Sequence, residues 1–360
     1  MNETTPVPSE MPATPTFHQP RANPIFFGRF GFRAGFGIAI FLIVAWVLTM
    51  VGGFAGLLAS GQAHKAMEIY SKTHSAAAIG RQIVFKASLI IGSDGFQFLG
   101  LLGFCWLVSR AERRPFHYYG IGHSRFRDVI PGAIWGIVSM SGLVFLLKAR
   151  GLLVFDGVNL HGAAPILGYG LYWLLAFILV GFFEEYVFRG YMLYTLTRGF
   201  WGLGEKLSPA NPQAASFWLA AVVMSLIFGG LHMNNPGENA LGIFQVVFVG
   251  IVFCYALYRT GSLWWGIGFH ALWDFMQSFT FGVPDSGNVS VGRLFITHPA
   301  GNKLLSGGTD GPEGSIFSAV FVFLTLFAIY FTTKPGIHPL PQQLPKPEDV
   351  LPVESTSLTA

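Results

Sequence analysis

Apolar residues in this chain fall in long unbroken runs, without the strict alternation of a strand or the narrow stripe of an amphipathic helix. Runs near the roughly 20-residue length that crosses a bilayer occupy about 36–59, 83–109, 129–147, 165–188, 214–233, 239–258, 262–282 and 314–333. The pattern predicts an all-α polytopic membrane protein, a bundle of about eight transmembrane helices. The fourth run is expected to continue as helix to Arg198, beyond the hydrocarbon. The fifth and sixth are joined by His232-Met233-Asn234-Asn235-Pro236-Gly237, whose Asn-Pro-Gly chemistry suits a tight reversal. No internal repeat stands out.

Composition agrees with that pattern. Hydrophobic residues make up 52% of the 360 and charged residues 11%, with mean hydropathy +0.52; a soluble domain carries about 25% charged residues. Residues 1–28, rich in Pro, Thr and Ser, read as a disordered N-terminal tail, and the Pro-rich 334–360 as a disordered C-terminal tail. Between them, 29–333 forms the transmembrane domain. The first run is too long and begins too far into the chain for a cleaved signal, so a retained anchor is expected. Cys105 and Cys254 lie inside apolar runs and read as small core residues. With the N-terminus in the cytoplasm, the inner segments hold 14 of the 22 Lys and Arg and the outer loops 7, including Arg110, Arg113, Arg114, Arg125 and Arg127 in one inner loop. The positive-inside rule therefore predicts a multi-pass protein of the cell membrane with both termini cytoplasmic. The bilayer is its expected partner; no nucleic-acid partner is expected.

Against this background a few polar residues stand out. Glu184 and Glu185 follow the charge-free stretch Ile166 to Val180, and intramembrane charges cost several kcal/mol, roughly, unless paired or facing water. Glu185 and Arg189, Phe228 and His232, and His270 and Asp274 are each four residues apart, which puts each pair on one helix face. Glu185 with Arg189 reads as an ion pair. Glu184, turned about 100° away, has no local cation and suits a group that takes a proton from water and returns it. His232 reads either as a satisfied interface residue or, beside two carboxylates, as part of a site. Asp274 is placed to hold His270 in one tautomer, and Phe228 reads as packing or as a wall for a substrate. Lys86 and Asp94 in the second run read first as structural, Lys86 by reaching to the interface and Asp94, between Gly92 and Gly95, as the mark of a kink or a cavity wall.

Glu184-Glu185-Tyr186-Val187-Phe188-Arg189-Gly190 matches an EExxxR motif, Phe228-Gly229-Gly230-Leu231-His232 an FxxxH motif, and His270-Ala271-Leu272-Trp273-Asp274 a histidine followed four residues later by Asn or Asp. In this order the three resemble the CAAX-processing and bacteriocin-processing (CPBP, or Abi) intramembrane proteases, over about residues 165–282. The resemblance implies an eight-helix bundle with its site opening toward the cytosol. Glu184 would be the general base on a water positioned by His232, with Glu185 and Arg189 as its support. His270 and residue 274 would stabilise the oxyanion, where such donors are worth about 2.7–4 kcal/mol each. An ionised Asp274 only accepts hydrogen bonds, so the donor role falls to His270.

The expected cofactor is none, or one divalent metal such as zinc held by Glu184, His232 and His270; no HExxH and no paired ExxH occurs. The expected activity is hydrolysis of a peptide bond in a membrane-associated peptide or protein. The family's eukaryotic relatives trim prenylated proteins, but nothing in this sequence marks a prenyl-binding groove. Two alternatives belong to other classes: a non-catalytic scaffold or bacteriocin-immunity factor, and a proton-coupled transporter, which polar intramembrane residues also mark.

Overall fold

The apolar runs fold as helices whose ends carry the signals written next to them. In this computed structural model the described residues are 25–336, apart from 29, 113 and 236; most of both predicted tails lies outside them. The helices are α1 (Ala34–Ala59), α2 (Ala63–Thr73), α3 (Ala76–Gln82), α4 (Ala87–Ala111), α5 (Val129–Ala149), α6 (Ala163–Glu185), α7 (Leu193–Gly199), α8 (Trp201–Leu207), α9 (Pro212–His232), α10 (Ala240–Thr260), α11 (Trp264–Asp274), α12 (Lys303–Ser306) and α13 (Ser318–Thr332). The Asn211 side chain caps the amides at the start of α9, ahead of Pro212, and Asn239 caps α10. Gly261 ends α10 in the left-handed conformation at φ 69°.

Six helical stretches are long and apolar enough to cross a membrane: 34–59, 87–111, 116–149, 163–199, 212–232 and 240–260. The expected count of about eight is corrected accordingly. The run at 314–333 gives only the 15 residues of α13, about 22 Å of helix. The run at 262–282 gives the 11 residues of α11 followed by a π-helical segment, Phe275–Thr280. Hydropathy measures apolar length, and in these two runs part of that length lies outside the α-helix. The chain is a multi-pass membrane protein.

Two small antiparallel ribbons are added to the helices: β1 (Phe27–Gly28) with β2 (Gly31–Phe32), and β3 (Leu153–Val158) with β4 (Phe295–Pro299). The first begins inside the stretch expected to be tail.

Helix packing relies on small residues, as it must where lipid offers no hydrophobic drive between helices. α1 buries only Gly37, Phe41, Gly52 and Gly56, and turns Ile43 and Trp46, each 66% exposed, toward lipid. One core cluster joins α1, α4, α9 and α10 around Tyr186, Tyr191 and Phe217; a second joins α5, α10, α11 and α13 around Trp265 and Phe269. Cys105 and Cys254 are fully buried in these cores. Lys86 sits at the N-cap of α4 and its Nζ donates to Ser60 O at 3.1 Å.

Successive helices sort the connections onto two faces. One face gathers the β1–β2 hairpin, the loop after α4, α8, the α10–α11 turn and the end of α13. It is fastened by Glu112, whose buried carboxylate takes Arg198 Nη1 at 2.8 Å, Arg114 Nε at 3.1 Å and Phe32 N at 2.9 Å. Leu263 N donates to Gly120 O and Arg125 Nη2 to Lys334 O on the same face. The other face gathers α2 and α3, the β3–β4 ribbon, the α9–α10 turn and the segment 281–317, tied together by Val291 N to Phe85 O and by Gln62 with Val84.

Candidate active site

Glu184 and Glu185 are the last two residues of α6, and the chain then widens into a π-helical segment, Tyr186–Met192, before α7. α11 does the same: Asp274 is its last residue and Phe275–Thr280 is π-helical. Such segments recur at functional sites. Gly181 lets the two helices meet. A Cβ on it would lie 3.2 Å from both Ala271 N and Ile267 O, so the absent side chain brings the end of α6 against His270. On its opposite side α11 is seated as closely on α5, where the Trp265, Phe269 and Val129 carbonyls occupy the space that side chains on Gly132, Gly136 and Gly268 would need.

This approach joins residues far apart in sequence. Arg189 Nη1 meets Glu185 Oε1 at 3.1 Å, both residues 1% exposed. The same oxygen accepts from His270 Nδ1 at 3.1 Å. With Nδ1 so engaged, His270 Nε2 faces Glu184 Oε2 at 3.6 Å and Asp274 Oδ2 at 3.5 Å. The ring is therefore held by Glu185, whereas Asp274 was the expected orienter; Asp274 lies with Glu184 at the other nitrogen. The reason is geometric, since the i,i+4 spacing brings Asp274 near the ring but the α6–α11 contact brings Glu185 to Nδ1. Glu184 keeps a quarter of its side chain exposed, against 1% for Glu185. Two adjacent acids thus have unlike settings.

His232 Nδ1 hydrogen-bonds Phe228 O at 2.8 Å. A carbonyl only accepts, so this nitrogen carries the proton, and Nε2 is the acceptor of the neutral ring. Phe228 does more than line a wall: the Arg189 guanidinium lies 4.3 Å over its ring, and the ring packs on Phe188 and His232.

Glu184, Phe228, His232, His270 and Asp274 all line one cavity of about 240 Å³. Asp94 lines it too, its Oδ1 accepting from Ser93 Oγ and Gln97 Nε2 at 3.0 and 3.3 Å. Asn235, Asp285, Ser286, Asn288 and Glu313 complete the lining at the second face. Sequence reasoning passed over Asp285, Asn288 and Glu313. Their signal was the length of 281–317, far more chain than a turn between helices needs, and such loops tend to be functional. Glu313 Oε1 accepts from Ser286 N at 2.5 Å and Asp285 Oδ2 from Ser278 Oγ at 2.8 Å. Burial pushes the Asp285, Glu313 and Glu238 carboxyls upward, and burial with nearby Glu238 pushes Asp310 up to about 8.

The loop residues that line the cavity, Phe85, Asn235, Asp285, Ser286, Asn288 and Glu313, all come from segments of the second face. Glu184, His232 and His270 share this cavity, and among the described residues no three His, Cys, Asp or Glu are grouped closely enough to hold a metal ion as placed. Both nitrogens of His270 are instead turned to carboxylates.

Residues 166–276 match the family described as Rce1-like: Type II CAAX prenyl endopeptidase Rce1-like. This segment contains every residue of the three motifs. No curated protein and no solved structure matches the chain.

Proposed function

We propose that this chain, which carries a CPBP-family domain over residues 166–276, is an intramembrane endopeptidase that cleaves a membrane-associated peptide or protein. The observation that carries the reading is the division of the glutamate pair. Glu185 is sealed between Arg189 and His270, while Glu184 is the partly open acid beside His270 in a cavity shared with His232.

In this reading Glu184 takes a proton from a water that His232 Nε2 helps to hold, and the water oxygen attacks the scissile carbonyl carbon. The carbonyl π bond opens to an oxyanion, to which the doubly protonated His270 donates through Nε2. Glu184 then returns its proton to the leaving nitrogen as the C–N bond breaks, so the proton balance closes on one carboxylate. Glu185 and Arg189 are positioning residues: they fix the ring and hold charge without touching the reacting atoms. Asp274, close to Nε2, favours the ring that carries both protons. No step in this scheme passes through a metal, and cleavage is expected to survive treatment of the purified protein with a chelator.

The test compares membranes of cells holding wild type, Glu184→Gln and His232→Ala by N-terminal mass spectrometry. New N-termini are expected in the wild type alone. An identical set of peptide ends in all three would remove the proteolytic reading.

A further inference from the structure

Asp94 lines the cavity but has no part in the proposed reaction, and it lies on α4, outside residues 166–276. The chain is built to hold it. Its Oδ1 accepts from Ser93 Oγ at 3.0 Å and from Gln97 Nε2 at 3.3 Å. Gln97, 8% exposed, is itself fixed by Thr49 Oγ1 of α1, which donates to its Oε1 at 3.0 Å. Its side chain occupies the space beside Gly52, where a Cβ would lie 2.8 Å from Gln97 Cγ. Two donors thus orient one carboxylate oxygen, while Oδ2 has no hydrogen-bond partner among the described residues.

The cavity is short of positive charge. Asp94, Glu184, Asp274, Asp285 and Glu313 line it, and none of the described lining residues is Lys or Arg. His270 is already turned to Glu184, Glu185 and Asp274. A carboxylate at membrane depth is costly unless it is paired or faces water, so a cation entering the cavity is favoured at Asp94. A second observation does not concern charge. Gln245 of α10, 3% exposed, lines the same cavity, and neither its Oε1 nor its Nε2 has a hydrogen-bond partner. Buried amides are rarely left so. An acceptor and a donor side by side match the N–H and C=O of a peptide unit. A peptide with a basic side chain supplies both missing partners.

The position of that side chain follows from the helix contact. α4 meets α6 at Gly95, where a Cβ would lie 3.4 Å from Leu179 Cδ1. From Leu179 to Glu184 is about 7.5 Å along the helix, and an extended peptide advances about 3.4 Å per residue. On the protease reading above, on which this rests, we infer that Asp94 binds a Lys or Arg side chain of the substrate, within about two residues of the scissile bond. Asp94 then touches substrate without touching the reacting atoms, and it sets which peptides are cut.

The experiment maps new peptide N-termini by mass spectrometry in membranes of cells producing the full chain as wild type, Glu184→Gln, Asp94→Asn or Asp94→Glu. The cells' own membrane proteins serve as substrates. Asp94→Asn keeps the shape and an acceptor for Ser93 and Gln97 while removing the charge. Glu184-dependent ends are expected to carry Lys or Arg within about two residues of the cut. They are expected to fall roughly tenfold or more in Asp94→Asn, the loss of one charge-assisted contact, and to persist in Asp94→Glu. Thermal unfolding of the purified Asp94→Asn protein in detergent is expected to match wild type. Glu184-dependent ends with no basic residue near the cut, or with undiminished yield in Asp94→Asn, overturn the inference and leave proteolysis standing. Should Asp94→Asn fail to fold, the wild-type cut sites decide by themselves. The absence of any Glu184-dependent end removes the protease reading, and the role of Asp94 with it.

Discussion

Arg189 is the cation on which the buried end of α6 depends. Its guanidinium meets Glu185 and covers the Phe228 ring, and both charged residues are 1% exposed. Removing one member of a buried pair leaves the other uncompensated, at a cost of roughly 3–5 kcal/mol. Arg189→Gln is expected to lower thermal stability in detergent by an amount of that order, and Arg189→Lys by less, because a point charge on a flexible stem keeps the ion pair but cannot lie flat on the ring. Asp274→Asn is expected to keep cleavage, since an amide can still accept at one atom and can donate at the other, whereas Asp274→Leu is expected to lose it; peptide-end analysis of the two variants checks this. At this scale the sequence was informative wherever partners lie within one helical turn. The Glu185–Arg189 pair was visible in its spacing. The bond from Glu185 to His270 was not, because the two residues are 85 positions apart and meet only through a contact between helices.

That contact is a property of the elements. α6 and α11 meet at Gly181, and α11 meets α5 along Gly132, Gly136 and Gly268, so α11 is set between two close neighbours. A side chain at position 181 has little room to be accommodated by sliding. Gly181→Leu is expected to cost about 1–3 kcal/mol as overpacking and to abolish Glu184-dependent cleavage while the chain still reaches the membrane. Gly53→Leu, at a position with open space around it, should leave both unchanged; immunoblots of membrane fractions with peptide-end analysis separate these outcomes. Most helices were legible in the apolar runs, with their caps at Asn211, Asn239 and Gly261. The early end of α11 and the two π-helical segments were not. A hydropathy run is the same whether its backbone is α or π, and the difference is set by how the neighbouring helices hold each end.

At the scale of the molecule, the two faces differ in how they are secured. The face that carries the β1–β2 hairpin is fastened by ion pairs on Glu112, the other by turns around buried acids such as Asp310. Asp310 is fully buried, accepts from Asn239 Nδ2 at 2.8 Å, and is pushed up to about 8 from an ordinary 3.8. The folded state therefore keeps a proton that the unfolded chain releases earlier. Stability should fall as pH rises from about 4 to about 8 and then level off, and Asp310→Asn should flatten that slope in thermal unfolding followed across the range. Composition revealed a membrane protein; which segments meet at the cavity needed the paths of all the helices. Those paths also give the π-helical segments a historical meaning. A helix that gains one residue must either turn everything beyond it by about 100° or absorb the extra residue in a locally widened turn. From Glu184 to Arg198 the chain has to serve the polar cavity at one end and the Glu112 anchor at the other, so a rotation would cost one of them. The widened turn at Tyr186–Met192 keeps both in phase, and a homologue one residue shorter in this segment would retain both, with its alignment gap falling just after the paired glutamates.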